Sequence, residues 1–341
     1  MLTLALDSGA HSLFHKYMVP KTLGGVSGEN INVQARIYTQ MDTSYYRSPA
    51  FKKYFDDYVK FCHEHLKQFK FVVTIDAIFD PKLSYETTME LVKQGLTPIP
   101  VLHPGEDYSY LKKYLDKFDY VGLGGLGQFF SKPKYLVWAD AAFKMMCDNK
   151  GRPTVQVHGF AMASYGLMAR WPWQSVDASS AFVHSRNGAI LLPKPILYRG
   201  ERKGWNFSGQ PRPVWVTKRR EHAAGSYYHQ TDRVQGMVKE YLSELGLVVD
   251  QVAEEYVYRD YANLFCIYKV EQAIQEQNAE RFGPKWKFNF FISGKPSQTE
   301  ELFLQCLPML EEMGVPEVKY LGTFWLPKPI KKFIVHKGEP K

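Results

Sequence analysis

Short, nearly continuous apolar runs alternate along this chain with longer stretches whose apolar residues recur every three or four positions. The runs lie at residues 2–6, 71–75, 97–102, 120–121 and 154–157, and a sixth, apolar-flanked run ends on Asp177. Residues 189–192 read as a seventh strand and 288–292 as an eighth. Between them, 49–68 keep a core-facing stripe of Phe51, Tyr54, Phe55, Tyr58, Phe61, Cys62 and His65, opened by the Ser48-Pro49 cap. Residues 84–94, 109–117, 134–149 and 164–171 also read as helices, and 297–313 close the series with a Ser297-x-x-Glu300 capping box.

Apolar strands alternating with helices are the signature of a parallel sheet covered on its outer face. With no sign of a sheet edge, the pattern predicts an α/β fold, a (β/α)8 TIM barrel. Residues 1–192 would supply strands one to seven and the active site. The regularity breaks at 193–285, a basic and helical, tyrosine-rich insertion before the last strand, with helices expected over 221–246 and 250–280. Residues 286–341 would hold the last strand, the closing helix and a basic tail from Gly322. The irregular stretch 13–50, with Gly24, Gly25 and Gly28, reads as an active-site loop, and its tyrosine-rich part from Tyr38 to Arg47 as a ligand contact.

Charge sharpens the picture. There are 43 Lys and Arg against 35 Asp and Glu, a net +8, which favours a polyanionic partner through counterion release. Arg186 and the run Lys218, Arg219, Arg220 are the candidate nucleic-acid contacts. Four scattered cysteines with no paired spacing point to reduced thiols in a cytoplasm rather than a zinc site. Residues 2–6 are too short for a signal peptide, and no apolar run approaches the ~20 residues of a membrane span.

Chemistry enters at the strand ends. In a closed barrel the carboxyl ends of the strands share one mouth. Asp7-Ser8-Gly9, Asp76, His103, the Gly124-Gly125 turn, His158 and Asp177 would meet there. Three acids beside glycines suit displacement at a sugar anomeric carbon: one carboxylate attacks, a second shuttles the proton, and a third accepts N–H groups of a base. No H-x-H follows the first strand and no carboxylate pair has ligand spacing, so neither a metal nor a cofactor is expected. The competing readings are a non-catalytic nucleic-acid-binding subunit and a glycoside hydrolase.

These motifs, in this order over residues 1–192, resemble those of the tRNA-guanine transglycosylases. Asp7-Ser8-Gly9-Ala10-His11 is similar to the family's Asp-Ser-Gly-Gly-Phe, which implies a general acid/base role for Asp7. Ile75-Asp76 resembles the aspartate that reads the guanine edge. His103-Pro104-Gly105 falls where the family has Gln-Gly-Gly, and Gly122 to Gly127 where Ile-Gly-Gly-Leu lines the base pocket. Val176 to Phe182 resembles the segment whose aspartate is the nucleophile, which implies that role for Asp177. The family's zinc-binding cysteines and its Pro-Thr-Arg-Asn stretch are missing, with Ser185-Arg186-Asn187-Gly188 partly in the latter's place. A short, zinc-free relative looks most like the DpdA-type proteins, which exchange guanine in DNA for a 7-deazaguanine such as 7-cyano-7-deazaguanine. The same exchange on tRNA is the alternative. The resemblance implies a nucleic-acid polymer and a free 7-deazaguanine base as partners. A homodimer, or a helicase-like partner that opens the duplex, is a further expected partner.

Overall fold

A computed structural model describes residues 2–18, 42–124, 132–294 and 299–324. Within them the expected alternation is found. The strands β1 (Leu2–Asp7), β2 (Phe69–Val72), β3 (Val101–Leu102), β4 (Tyr120–Leu123), β5 (Gln156–Gly159) and β6 (Ser175–Ala178) come first. They are separated by α1 (Ala10–Leu13), α2 (Pro49–His65), α3 (Pro81–Lys93), α4 (Tyr108–Leu115), α5 (Lys132–Met146) and α6 (Tyr165–Met168).

Local chemistry sets these boundaries. At the start of α2 the Ser48 hydroxyl accepts from the Phe51 N–H at 3.1 Å, and Pro49 occupies the first turn, where its missing N–H is not needed. The α2 stripe buries Phe51, Tyr58, Phe61 and Cys62. Asp80 caps α3 in the same way, and Asp107 caps α4. After α3 the chain turns through Gly95 at φ 82°, a left-handed conformation that glycine adopts without strain.

After β6 come α7 (Ser180–Arg186), β7 (Ala189–Leu192), β8 (Lys194–Tyr198), β9 (Glu201–Asn206) and β10 (Arg212–Trp215). Then follow α8 (Asp232–Glu244), α9 (Val249–Glu254), α10 (Tyr256–Phe282), β11 (Asn289–Ser293), α11 (Thr299–Glu312) and β12 (Val318–Thr323). The main sheet has eight strands in the order β2-β1-β12-β11-β6-β5-β4-β3. The pairs β1–β2, β3–β4, β4–β5 and β5–β6 are parallel. A parallel bridge joins Val73, just after β2, to Ile99, just before β3, with Ile99 N–H donating to Val72 O at 2.8 Å and Thr74 N–H to Ile99 O at 3.0 Å.

Three expectations change. Residues 189–192 are not a strand of the large sheet; they pair antiparallel with β10 as a separate ribbon. The last two places in the large sheet are taken by β11 and β12, so the insertion precedes two strands rather than one. The helix expected over 221–246 begins only at Asp232, after 3-10 turns at 218–220 and 227–229. The glycines at 24, 25 and 28, Ser297 of the closing cap, and the tail beyond 324 lie outside the described residues.

The chain divides into two units. One comprises Leu4–Met162, Pro172–Val176 and Leu321–Lys341; the other Met1–Thr3, Ala163–Trp171 and Asp177–Tyr320. In the second, α10 holds its neighbours through buried polar groups. Asn263 Nδ2 donates to Ala181 O and Ala189 O at 3.0 and 3.1 Å, while its Oδ1 accepts from Leu191 N–H. Arg259 Nε donates to Ser185 O at 2.9 Å. Three of the insertion's tyrosines, Tyr227, Tyr241 and Tyr261, are core residues. Among the described residues no helix is long and apolar enough to cross a membrane.

Candidate functional site

The run of parallel pairings places the carboxyl ends of neighbouring strands along one edge of the first unit, and chemistry collects there. At the end of β1 the Asp7 carboxylate accepts from the Gly9 N–H at 3.3 Å, and Gly9 is left-handed at φ 83°. Ser8 is buried, and its hydroxyl donates to Thr74 O at 2.6 Å, tying this turn to the segment that carries Asp76. Tyr54 donates to Ser8 O, and Tyr46 to Asp76 O at 2.6 Å. Tyr46, from the stretch expected to contact a ligand, is itself buried and tied to the Asp76 backbone.

Beyond β2 and β3 stands a three-member charged cluster. His103 Nε2 lies 3.2 Å from Asp76 Oδ2, and its Nδ1 lies 3.5 Å from Glu106 Oε1. The second contact is too long for a good hydrogen bond and acts through charge. All three residues are buried, with at most 7% of any exposed. Glu106 is fixed by backbone donors: its Oε2 accepts from His103 N–H at 2.8 Å and its Oε1 from Phe79 N–H at 3.1 Å. Phe79 is left-handed at φ 72°, a conformation costing a non-glycine residue about 1–3 kcal/mol, and the Glu106 bond helps to hold it.

Burial pushes the Asp76 carboxyl up to about 6, against the opposing pull of His103. Burial by itself would lower the His103 imidazole, but the Glu106 and Asp76 carboxylates outweigh it and raise it. Both groups hold protons more tightly folded than unfolded. The stability this gives is complete below the ordinary carboxylate range and is lost as pH rises through about 6 and then through the raised value of His103. The expected result is that the stability of wild type relative to Asp76→Asn falls between pH 4 and 7 in urea unfolding; a difference independent of pH would contradict the coupling.

Gly124, at the end of β4, is the space His103 needs. A Cβ on Gly124 would stand 2.9 Å from His103 Nε2 and 3.0 Å from its Cδ2. Gly124→Ala should therefore displace the imidazole from Asp76, lower stability by about 1–3 kcal/mol in chemical unfolding, and move the His103 ring resonances in NMR spectra. Unmoved resonances would show that the ring does not sit against this glycine.

The other expected residues are placed differently. His158 registers with Gly122 on β4 and Ser175 on β6, two residues short of the level of Gly124. It is fully buried, bonded to the Ser175 hydroxyl and edge-on to Phe71 and Phe160. The Ser175 hydroxyl also meets Tyr120. His158 thus belongs to the packed interior of the strands rather than their tips. Gly125 lies outside the described residues.

Asp177 belongs to the second unit and is 6% exposed. It is the next residue of β6 after Ser175 and Val176, which pair with His158 and Gly159. The helix that follows it, α7, is the one anchored to α10 through Ala181 and Ser185. Arg186 is occupied locally: its two terminal nitrogens reach the Asp260 carboxylate at 3.2 and 2.9 Å, and its guanidinium stacks 4.8 Å from the Tyr256 ring centroid. Asp260 is wholly buried, so Arg186 neutralises a charge inside its own unit. Lys218, Arg219 and Arg220 form an exposed 3-10 turn.

Glu106 is the residue that the sequence reading passed over. Its signal was present, an acid three residues after His103 across the Pro104-Gly105 turn, which returns it to the His103 backbone. Among the described residues no group of three or more His, Cys, Asp or Glu is arranged to hold a metal ion. Comparison of the chain with protein-family models, curated proteins and solved structures finds no match in any of the three.

Proposed function

We propose that this protein is a guanine transglycosylase that exchanges guanine in DNA for a 7-deazaguanine base. The observation that carries the reading is a buried carboxylate, Asp76, set by an imidazole next to the Asp7-Ser8-Gly9 turn on one strand-end edge. A carboxylate so placed suits the N–H and NH₂ edge of guanine, because each of its two oxygens accepts more than one hydrogen bond. The bridge between Val73 and Ile99 supports closure of the sheet as a (β/α)8 barrel, the architecture that keeps catalytic groups at these ends.

In this reading Asp177 is the nucleophile. Its carboxylate oxygen forms a bond to C1′ of the deoxyribose as the C1′–N9 bond breaks, and the departing electron pair goes to guanine. Asp7, protonated, delivers its proton to the leaving base. The incoming 7-deazaguanine gives its N9 proton back to Asp7, its nitrogen bonds to C1′, and the Asp177–sugar ester bond breaks to regenerate the carboxylate. One glycosidic bond is made for each one broken, and no redox partner or triphosphate is needed. The target base must leave the stack, at about a few kcal/mol; the exposed Lys218, Arg219 and Arg220 would hold the phosphates.

The reading is tested by incubating the protein with radiolabelled 7-cyano-7-deazaguanine and, in parallel, guanine-containing DNA and tRNA. Label is expected in DNA. Label in tRNA alone would move the substrate to RNA, and label in neither would overturn the activity.

A further inference from the structure

The β8–β9 hairpin has no part in the chemistry above, and its surface is unusual. Every residue from Ile196 to Glu201 is exposed. Three of them are large and consecutive: Ile196 at 49%, Leu197 at 43% and Tyr198 at 57%. Soluble surfaces avoid such a run unless it binds something. The turn joining the strands has both Arg199 (φ 50°) and Gly200 (φ 87°) left-handed, the two-residue geometry whose twist matches an antiparallel pair. A register shift between Ile196 and Leu197 re-aims the side chains beyond it.

The stem is anchored where the tip is not. Arg202 reaches Glu240 and Glu244, each at 2.6 Å, and Trp205 Nε1 donates to Glu244 at 2.8 Å while its ring stands edge-on to Tyr241 on α8. The hairpin carries Lys194, Arg199, Arg202 and Lys203 against one acid, Glu201. Lys203 is paired with Glu201 and Arg202 with Glu240 and Glu244, so the cations outside these pairs are Lys194 and Arg199. This charge decides between occupants. A second copy of the chain seated here by two-fold symmetry would bring like charges together, whereas a polyanion meets them favourably.

We propose that the hairpin tip is a wedge for duplex nucleic acid: Leu197 and Tyr198 enter between adjacent bases while Lys194 and Arg199 meet the phosphates. Apolar side chains inserted in this way unstack a base step. The proposal rests on the nucleic-acid part of the reading above and supplies the base extrusion that it requires.

The test uses the full chain and a DNA duplex with 2-aminopurine beside a guanine. Wild type is expected to raise the fluorescence. The double variant Leu197→Ser, Tyr198→Ser should reduce that rise about tenfold, with affinity for single-stranded DNA changed by no more than about threefold. An equal rise from wild type and variant, or none from wild type, would overturn the wedge. So would a wild-type dimer that the double variant converts to monomer in sedimentation, which would seat a second copy on the tip. Both residues are exposed, so an unchanged melting curve confirms that the variant is folded. Failure of the chemistry shows separately: duplex opening without label exchange would remove the transglycosylase reading and leave the wedge standing.

Discussion

Asp177→Ala is expected to abolish base exchange, by about 10⁴-fold or more, because no other group then forms the sugar ester and the reaction loses its two-step route. DNA binding should change by no more than about threefold, since affinity for the polymer is set chiefly by its phosphates. Label-transfer rates and fluorescence anisotropy on the same preparation measure the two effects. Exchange retained within about tenfold of wild type would remove Asp177 as nucleophile. Steady anisotropy matters here, because α7 follows Asp177 closely and is tied into α10, so a misfolded variant would lose both signals.

Arg186→Ala should strongly destabilise the unit that holds it. It leaves the Asp260 carboxylate buried with its bidentate partner gone, a loss of about 3–5 kcal/mol. The neighbouring Arg259 eases the Asp260 charge only in part, because its Nε and Nη1 already donate to Ser185 O, Val252 O and Ala253 O. Urea unfolding measures the loss. In Arg186→Met with Asp260→Leu, the second change should recover most of it, since a pair of apolar groups of similar volume leaves no buried charge. Were Arg186 chiefly a phosphate contact, Arg186→Ala would instead leave stability near wild type and reduce the salt dependence of DNA binding by about one counterion.

The first six strands were legible because most are short apolar runs, as buried parallel strands are, and each run stops on an acid, histidine or glycine. The same signal misplaced residues 189–192: an apolar run does not say which partner it will take, and here the partner is Arg212–Trp215. The strand Val318–Thr323 was hidden for the opposite reason. Its Lys319 breaks the apolar run, yet that ammonium is only 10% exposed because Glu271 at 2.7 Å and Glu317 at 3.4 Å neutralise it. Glu271 lies 48 residues away in sequence, and no local pattern predicts the pairing.

The site was legible to a similar depth. Asp76 and His103 announced themselves as strand-end residues, but their contact depends on which strands become neighbours. The Val73–Ile99 bridge brings those two segments together. Glu106 drew no reading from the sequence, and Arg186 read as a nucleic-acid contact because Asp260 stands 74 residues further on. Local sequence exposes a group's chemistry; only tertiary pairing shows whether that chemistry is already spent.

The central claim is that the Asp177 carboxylate attacks the anomeric carbon of a deoxyguanosine. The direct measurement is acid-quenched reaction with a short guanine-containing DNA, followed by proteolysis and mass spectrometry of the covalently modified peptide. The account predicts a deoxyribose ester on the peptide containing Asp177, missing in Asp177→Ala. An ester mapped to Asp7, Asp76 or any other carboxylate would contradict it.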